Sequence, residues 1–108
     1  MVKELSAARI MRCRGIILAV LHAEKAISAG RPAMPVDAVV LRSILRQFGI
    51  VKTPDQMRDQ LEYLRERGYV RLEDKELSGA KALLCELTAQ GQDLMDGIRS
   101  DDTILLDD

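Results

Sequence analysis

TPDQMRDQLEYLRERGYVRLEDKELSGAKALLCEL, residues 53–87, is the stretch that decides the fold. Its first residue, Thr53, is a preferred helix N-cap, and Pro54 suits the first helical position because an N–H there would have no helical partner. Asp55 adds a negative charge at the positive end of the helix, and Gly68 suits the left-handed residue that often ends one. These signals predict a helix from Thr53 to Gly68.

Two strands are predicted directly after this helix. Tyr69–Glu73 alternates weakly between apolar and polar residues, and Ala82–Leu87 forms a second apolar run. The residues between them, Asp74–Ala80, are mostly polar and contain a Ser-Gly pair. We therefore predict a hairpin with its connection at these residues.

Further helices are predicted before and after this unit. The first spans about Ser6–Ser28, and the second spans Val36–Phe48 and stops at Gly49. Thr88 caps a last helix at about Ala89–Ile98. The apolar residues expected to face a core are Ile10, Cys13, Ile17, Val20, Leu21 and Ile27 in the first helix, Val39, Val40, Ile44, Leu45 and Phe48 in the second, and Leu94 and Ile98 in the last.

The order helix, helix, helix, strand, strand, helix predicts a mainly α protein with a small β-hairpin (α+β). This is the order of a winged helix-turn-helix, in which the third helix usually enters the DNA major groove. We predict one domain over residues 6–98, an N-terminal extension at 1–5 and an acidic C-terminal tail at 99–108. Ile104-Leu105-Leu106 is too apolar for a fully solvated tail, so it docks either on this chain or on a partner.

Composition narrows the class of protein. The chain has 108 residues, 47 % of them hydrophobic, and its aromatic residues are Phe48, Tyr63 and Tyr69, so the core must be aliphatic. No apolar stretch approaches the roughly 20 residues of a spanning helix, and no signal region opens the chain, so we expect a cytoplasmic protein without a membrane partner. Cys13 and Cys85 suggest no disulfide framework and are expected to be reduced core residues.

Charge is distributed unevenly along the chain. Residues 1–68 hold 12 Lys and Arg against 7 Asp and Glu, whereas residues 69–108 hold 4 against 10. Such asymmetry indicates a nucleic-acid face or charge-steered self-association, and an ordinary solvated surface with an acidic tail is an equal alternative.

Several segments resemble bacterial winged-helix regulators. Leu87-Thr88-Ala89-Gln90-Gly91 resembles the Leu-Thr-x-x-Gly that many such repressors carry after the second strand, and Leu61–Val70 is similar to the end of their recognition helix and the first wing strand. Leu41–Gly49, Asp55–Arg58 and Leu61–Leu64 resemble small winged-helix proteins of Mu-like prophages. The resemblance covers about residues 10–98 and implies a phage or prophage origin.

The third helix has three distinct faces when each residue is placed at 100° per step. Met57, Leu61 and Leu64 fall within about 60° and predict the buried face. The opposite ridge is wholly acidic, and two polar flanks separate it from the buried face. The ridge consists of Asp55, Asp59, Glu62 and Glu66, one flank of Gln56, Gln60, Tyr63 and Arg67, and the other of Arg58 and Arg65.

Two functions remain open for this helix. In the first, Gln56, Gln60, Tyr63 and Arg67 read bases while Lys52 and Thr53 contact phosphate, because Gln pairs with adenine and Arg with guanine. The wing would add Lys75 and Lys81, and the first helix would add charge from Lys3, Arg9, Arg12 and Arg14. In the second, the acidic ridge contacts a basic protein, since a DNA duplex repels carboxylates. A plain solvated face is the third interpretation.

Other chemistries find little support in the sequence. His22 is the only histidine, and no Cys or acidic cluster surrounds it at the spacing of a zinc site. No nucleophile motif, phosphate-binding loop or calcium loop is present. We therefore predict that the protein is not an enzyme and binds no cofactor or metal. The winged-helix pattern predicts a DNA-binding transcriptional regulator that forms a homodimer. The alternative is a winged-helix module for protein–protein interaction.

Overall fold

The structure, a computed structural model, describes residues 6–27, 34–50 and 53–106. The predicted N-terminal extension, most of the first loop, Lys52 and the last two residues lie outside that part of the chain. The elements are α1 (Ala7–Ile27), β1 (Val36–Asp37), α2 (Ala38–Gln47), α3 (Pro54–Glu66), β2 (Val70–Leu77), β3 (Ala80–Leu87) and α4 (Ala89–Met95). This confirms the predicted α+β winged-helix class.

Helix α3 begins and ends as its sequence predicts. Thr53 Oγ1 accepts the Gln56 backbone N–H at 3.1 Å, and Gln56 Oε1 accepts the Thr53 N–H at 3.1 Å, which forms a capping box. At the other end, Gly68 has a φ of 83°, a conformation that side chains disfavour. The predicted inner face is confirmed, because its apolar residues Met57, Leu61 and Leu64 are all buried.

We expect Thr53→Ala to lower the free energy of unfolding by about 1 kcal/mol, because the first turn of α3 loses its side-chain acceptor. Urea unfolding followed by circular dichroism measures the effect. Ser43→Ala is the matched control, because Ser43 is exposed within α2 and caps no helix. Equal stability of the two variants would contradict the role of the cap.

The two strands of the wing hairpin are longer than the sequence predicted. Strands β2 and β3 pair antiparallel from Val70↔Leu87 to Leu77↔Ala80, so the turn contains only Ser78 and Gly79. Both turn residues have positive φ, 52° and 84°, as in the tight type I′ turn. The predicted connection at Asp74–Ala80 was therefore too long. Its polar residues belong to an exposed part of the hairpin, which gives no apolar alternation to read.

A short strand before α2 was not predicted. Val36 pairs with Cys85 and Asp37 with Leu84, which gives a three-stranded sheet in the order β1-β3-β2. Asp37 Oδ1 accepts the Val39 backbone N–H at 2.9 Å and caps α2, so the helix begins two residues later than predicted.

The core is aliphatic, and α1, α2, α3, α4 and the sheet all contribute to it. Cys13 and Cys85 are buried free thiols, and burial raises the pKa of each to about 12. Five expected core residues are instead exposed, and three of them are Ile27 at 76 %, Phe48 at 61 % and Ile98 at 74 %. Ile27 is the last residue of α1, whereas Phe48 and Ile98 lie beyond the ends of α2 and α4, so helical spacing no longer applies to them. The last helix therefore ends three residues earlier than predicted.

The first turn of α2 also differs from the sequence prediction. Val39 and Val40 were expected to face the core but are exposed, and the buried Leu41 was not among the predicted residues. The predicted burial of Leu45 is confirmed. No helix within the described residues combines the length and the apolar character that crossing a membrane requires.

Candidate nucleic-acid interface

The outward face of α3 carries the acidic ridge. Asp55, Asp59 and Glu66 are exposed, and Glu62 is half-buried. Arg65 Nη2 donates to Glu62 Oε2 at 2.8 Å, and this hydrogen bond lowers the pKa of the Glu62 carboxyl. Glu62 therefore has a cationic partner on the same helix.

One polar flank of α3 is covered by the rest of the chain. Gln60 is only 8 % exposed, and its Oε1 accepts a hydrogen bond from Arg14 Nε at 2.9 Å. The Arg14 guanidinium lies over the Tyr63 ring, 3.5 Å from its centroid, and donates to the Thr103 carbonyl oxygen at 2.9 Å. Arg14 therefore binds within the domain and does not add to an outer basic surface.

The cover is completed by residues 101–106, which we call the C-terminal strap. Tyr63 Oη donates to Thr103 Oγ1 at 2.6 Å, and Arg67 Nη1 lies 3.2 Å from Asp101 Oδ2. Gln60, Tyr63 and Arg67 were proposed for base readout, yet the structure gives each of them a partner inside the chain. Arg67 remains 44 % exposed, whereas Gln60 is buried.

Asp101 is the polar centre of the strap. Its side chain is 4 % exposed, and it accepts from Tyr69 Oη at 2.6 Å and from the Thr103 N–H at 2.9 Å, besides pairing with Arg67. Burial acts to raise the pKa of Asp101, but the hydrogen bonds from Thr103 and Tyr69 and the charge of Arg67 outweigh it and lower the pKa to about 2. Asp101 is therefore a fixed carboxylate at neutral pH.

The apolar part of the strap docks on α1. Ile104 is 7 % exposed, and the Leu105 N–H donates to the Met11 carbonyl at 3.0 Å. The Leu105 backbone lies so close to Gly15 that a Cβ there would overlap the carbonyl oxygen. Of the two alternatives left open by the sequence, the structure shows docking on this chain.

The other flank of α3 faces the wing. Arg58 Nη2 lies 3.8 Å from Asp74 Oδ2, and both side chains are largely exposed. Arg58, Lys75 and Lys81 line one groove between α3 and the hairpin. On sequence grounds Arg58 was assigned no contact with DNA. The helical pattern alone does not show that the hairpin places Lys75 and Lys81 beside it.

The remaining predicted contacts are at the N-terminus of α3. Thr53 is exposed, but its hydroxyl and the Gln56 amide oxygen are used by the capping box. The structure therefore brings Thr53 and Gln56 to one end of α3, and Lys75 and Lys81 to the wing.

The part of the chain that the structure describes brings no cluster of metal-ligating side chains together. No group of three or more His, Cys, Asp or Glu residues there has the arrangement of metal ligands. His22 Nε2 lies 3.3 Å from Asp96 Oδ1, which is a simple polar pair between α1 and the end of α4.

Comparison with solved structures supports the fold. No family model and no curated protein matches the chain. Among solved structures, it is similar to a PadR-like transcription factor from Bacteroides fragilis, with a TM-score of 0.60 and 17 % sequence identity over 79 % of this chain and 74 % of that chain. At this identity the likeness concerns the fold alone, and the prophage origin stays a prediction. The chain has the winged-helix fold.

Proposed function

We propose that the chain is a DNA-binding transcriptional regulator whose duplex contacts lie in the groove between α3 and the wing. The observation that carries the proposal is the convergence of Arg58, Lys75 and Lys81 on that groove, where they outnumber the two carboxylates of Asp74 and Glu76. The winged-helix fold supports it, since this fold usually presents the third helix to DNA. The similar PadR-like protein is itself described as a transcription factor.

The charges indicate how DNA would be bound. The ridge carboxylates would face a duplex that carries one negative charge per about 1.7 Å of axis. This repulsion would keep α3 from entering the DNA major groove deeply with its acidic ridge foremost. Binding would therefore depend on phosphate contacts from Arg58 and the wing, with Lys52 and Thr53 at the N-terminus of α3. Base readout would be limited, because Arg14 donates a hydrogen bond to Gln60 and the strap engages Tyr63 and Arg67.

The proposal also includes a phage or prophage origin, a homodimer and a cytoplasmic location. The resemblance of Leu41–Gly49 and neighbouring segments to Mu-like prophage proteins suggests a phage or prophage regulator. Homodimer formation and a cytoplasmic location would fit such a regulator. Light scattering of the purified chain tests the dimer directly.

We expect Arg58→Ala and Lys81→Ala each to weaken binding to mixed-sequence duplex DNA. Each should also make the negative slope of log K against log salt shallower by about 1. Fluorescence anisotropy at several salt concentrations measures both quantities. Lys25→Ala is the control, because Lys25 is exposed in the last turn of α1, outside this groove, and its removal should change neither quantity. Absence of duplex binding at low salt would overturn the DNA function.

A second function is favoured by the acidic ridge, whose Asp55, Asp59 and Glu66 side chains are exposed. Such a face fits a basic protein partner. Asp59→Asn or Glu62→Gln should strengthen DNA binding if the ridge is only an electrostatic barrier to the duplex. If the wild type binds no DNA and Asp59→Asn changes nothing, the ridge becomes the surface on which to search for a protein partner.

A further inference from the structure

We propose that a second groove, between α2, α3 and β3, binds a small amphipathic anion with an apolar body and a single carboxylate or similar headgroup. This groove of about 280 Å³ adjoins the proposed DNA groove. It has an apolar lining and charged residues around its edge. The apolar lining consists of Ala38, Val39, Pro54, Met57, Leu61, Ala82 and Leu83.

The apolar surface that a ligand could cover in this groove comes mainly from Val39. Met57 and Leu61 are 2 % and 0 % exposed and form part of the core, whereas Val39 is 61 % exposed at the side of the groove. A ligand that covers Val39 removes apolar surface from water, which is the usual driving force for binding in such clefts. The size of the groove limits the ligand to a short chain or a small ring.

The charged edge favours an anionic headgroup. Arg42, Arg58 and Lys81 line the groove, against Asp37 and Asp55. The Asp37 carboxylate already accepts the Val39 backbone N–H at 2.9 Å as the cap of α2. Arg58 pairs only loosely with Asp74, at 3.8 Å, with 55 % of its side chain exposed. The edge therefore carries three cations against the exposed Asp55 and the Asp37 carboxylate that caps α2, which leaves an excess of positive charge for an anionic headgroup.

Occupation of this groove would affect the neighbouring one. Arg58 and Lys81 line both grooves, together with Ala82 and Leu83. An anion held by Arg58 and Lys81 would withdraw from a duplex two of the cations that should contact its phosphates. The ligand would thus compete with DNA, and this regulatory part of the inference rests on the proposed function.

The first test uses octanoate as the probe, with the full chain and no DNA. We expect saturable shifts of backbone amide signals in a two-dimensional ¹⁵N–¹H NMR titration, largest near Val39, Arg58 and Leu83. Octanol and octylamine should bind at least about fivefold more weakly, because neither carries the negative charge that would pair with the cations at the edge of the groove. Equal affinity for all three probes, or shifts that do not saturate, would overturn the site.

Variants locate the site on the protein. Val39→Asp places a carboxylate in the groove at an exposed position, so the fold should persist while octanoate affinity falls about tenfold or more. Arg42→Ala should weaken octanoate binding several-fold. Arg46→Ala is the matched control, because Arg46 is exposed on the same helix and lies outside the groove. Octanoate affinity that is unchanged in Val39→Asp would contradict the placement.

A final measurement separates this inference from the proposed function. Octanoate should weaken duplex binding by the wild type and have little effect on the residual duplex binding by Val39→Asp. If octanoate binds its groove but the protein binds no DNA, the ligand site stands and the DNA function fails. If DNA binds and octanoate does not, the ligand site is overturned alone. If both bind without competition, the shared role of Arg58 and Lys81 is wrong.

Discussion

Gly15→Ala is expected to release the C-terminal strap from α1 and to destabilise the protein, although alanine normally favours a helix. A Cβ at Gly15 would overlap the Leu105 carbonyl oxygen and lie 2.9 Å from the Leu105 carbonyl carbon, and neither is a flexible side-chain end. Glycine within a helix is about 1 kcal/mol less favourable than alanine. At position 15 this loss is offset, because glycine leaves room for the Leu105 backbone. Losing the burial of Ile104 and the Met11–Leu105 hydrogen bond should outweigh the gain, for a net loss of about 1–3 kcal/mol.

Urea unfolding of four variants tests this account. Ala19→Gly, at an exposed position of the same helix, gives the helix-propensity term alone and should cost about 1 kcal/mol. Ile104→Ala should cost about 2–4 kcal/mol in the wild-type background and much less when combined with Gly15→Ala, because the strap is already released there. A gain in stability from Gly15→Ala, or additive losses in the double variant, would contradict the close contact.

The helix α3 could be predicted because its signals are local. Thr53 and Pro54 act on the first turn and Gly68 on the last, each on neighbouring residues only, and each is found as expected. The buried face follows from the same local geometry, since Met57, Leu61 and Leu64 repeat at helical spacing. Local signals of this kind do not depend on what packs against the helix.

The sheet could be predicted only in part, because strand pairing is a contact between distant residues. Strand β1 consists of two residues, and its partner Cys85 is far along the chain from Val36. The exposed half of the wing, from Glu73 to Leu77, has no buried face and therefore no apolar alternation. The Ser78-Gly79 pair was the available signal, and it marks the turn correctly within a connection predicted too long.

The candidate site shows the same limit. Angular placement puts Gln60, Tyr63 and Arg67 on one flank of α3, but it does not reveal that Arg14 and the strap occupy that flank. Thr103, which accepts from Arg14, lies 89 positions away along the chain. The sequence did offer one hint, the apolar Ile104-Leu105-Leu106 within an acidic segment. That hint predicted docking without identifying the surface.

Asp101→Asn is expected to lower the free energy of unfolding at neutral pH by about 2–4 kcal/mol, because it removes a buried carboxylate from several donors at once. Tyr69 and Thr103 would then face an amide that can also present its own donors, and Arg67 would lose its anionic partner. Asp102→Asn is the matched control, since the neighbouring Asp102 side chain is exposed and its loss should change stability by less than about 0.5 kcal/mol.

The same carboxylate should give the protein a pH dependence that the variant lacks. The pKa of Asp101 is lowered from 3.8 to about 2, so its contribution is complete above the pKa of the unfolded chain and is lost as the pH falls from about 4 towards 2. A shift of this size corresponds to roughly 2 kcal/mol, and the side chain is shielded enough from solvent for most of it to be realised. Urea unfolding at several pH values should show the gap between wild type and Asp101→Asn narrowing by about that amount across this window. A gap that stays constant from pH 5 to pH 2 would show that the strap is held by Ile104 and the backbone contacts, with the ionised Asp101 contributing little.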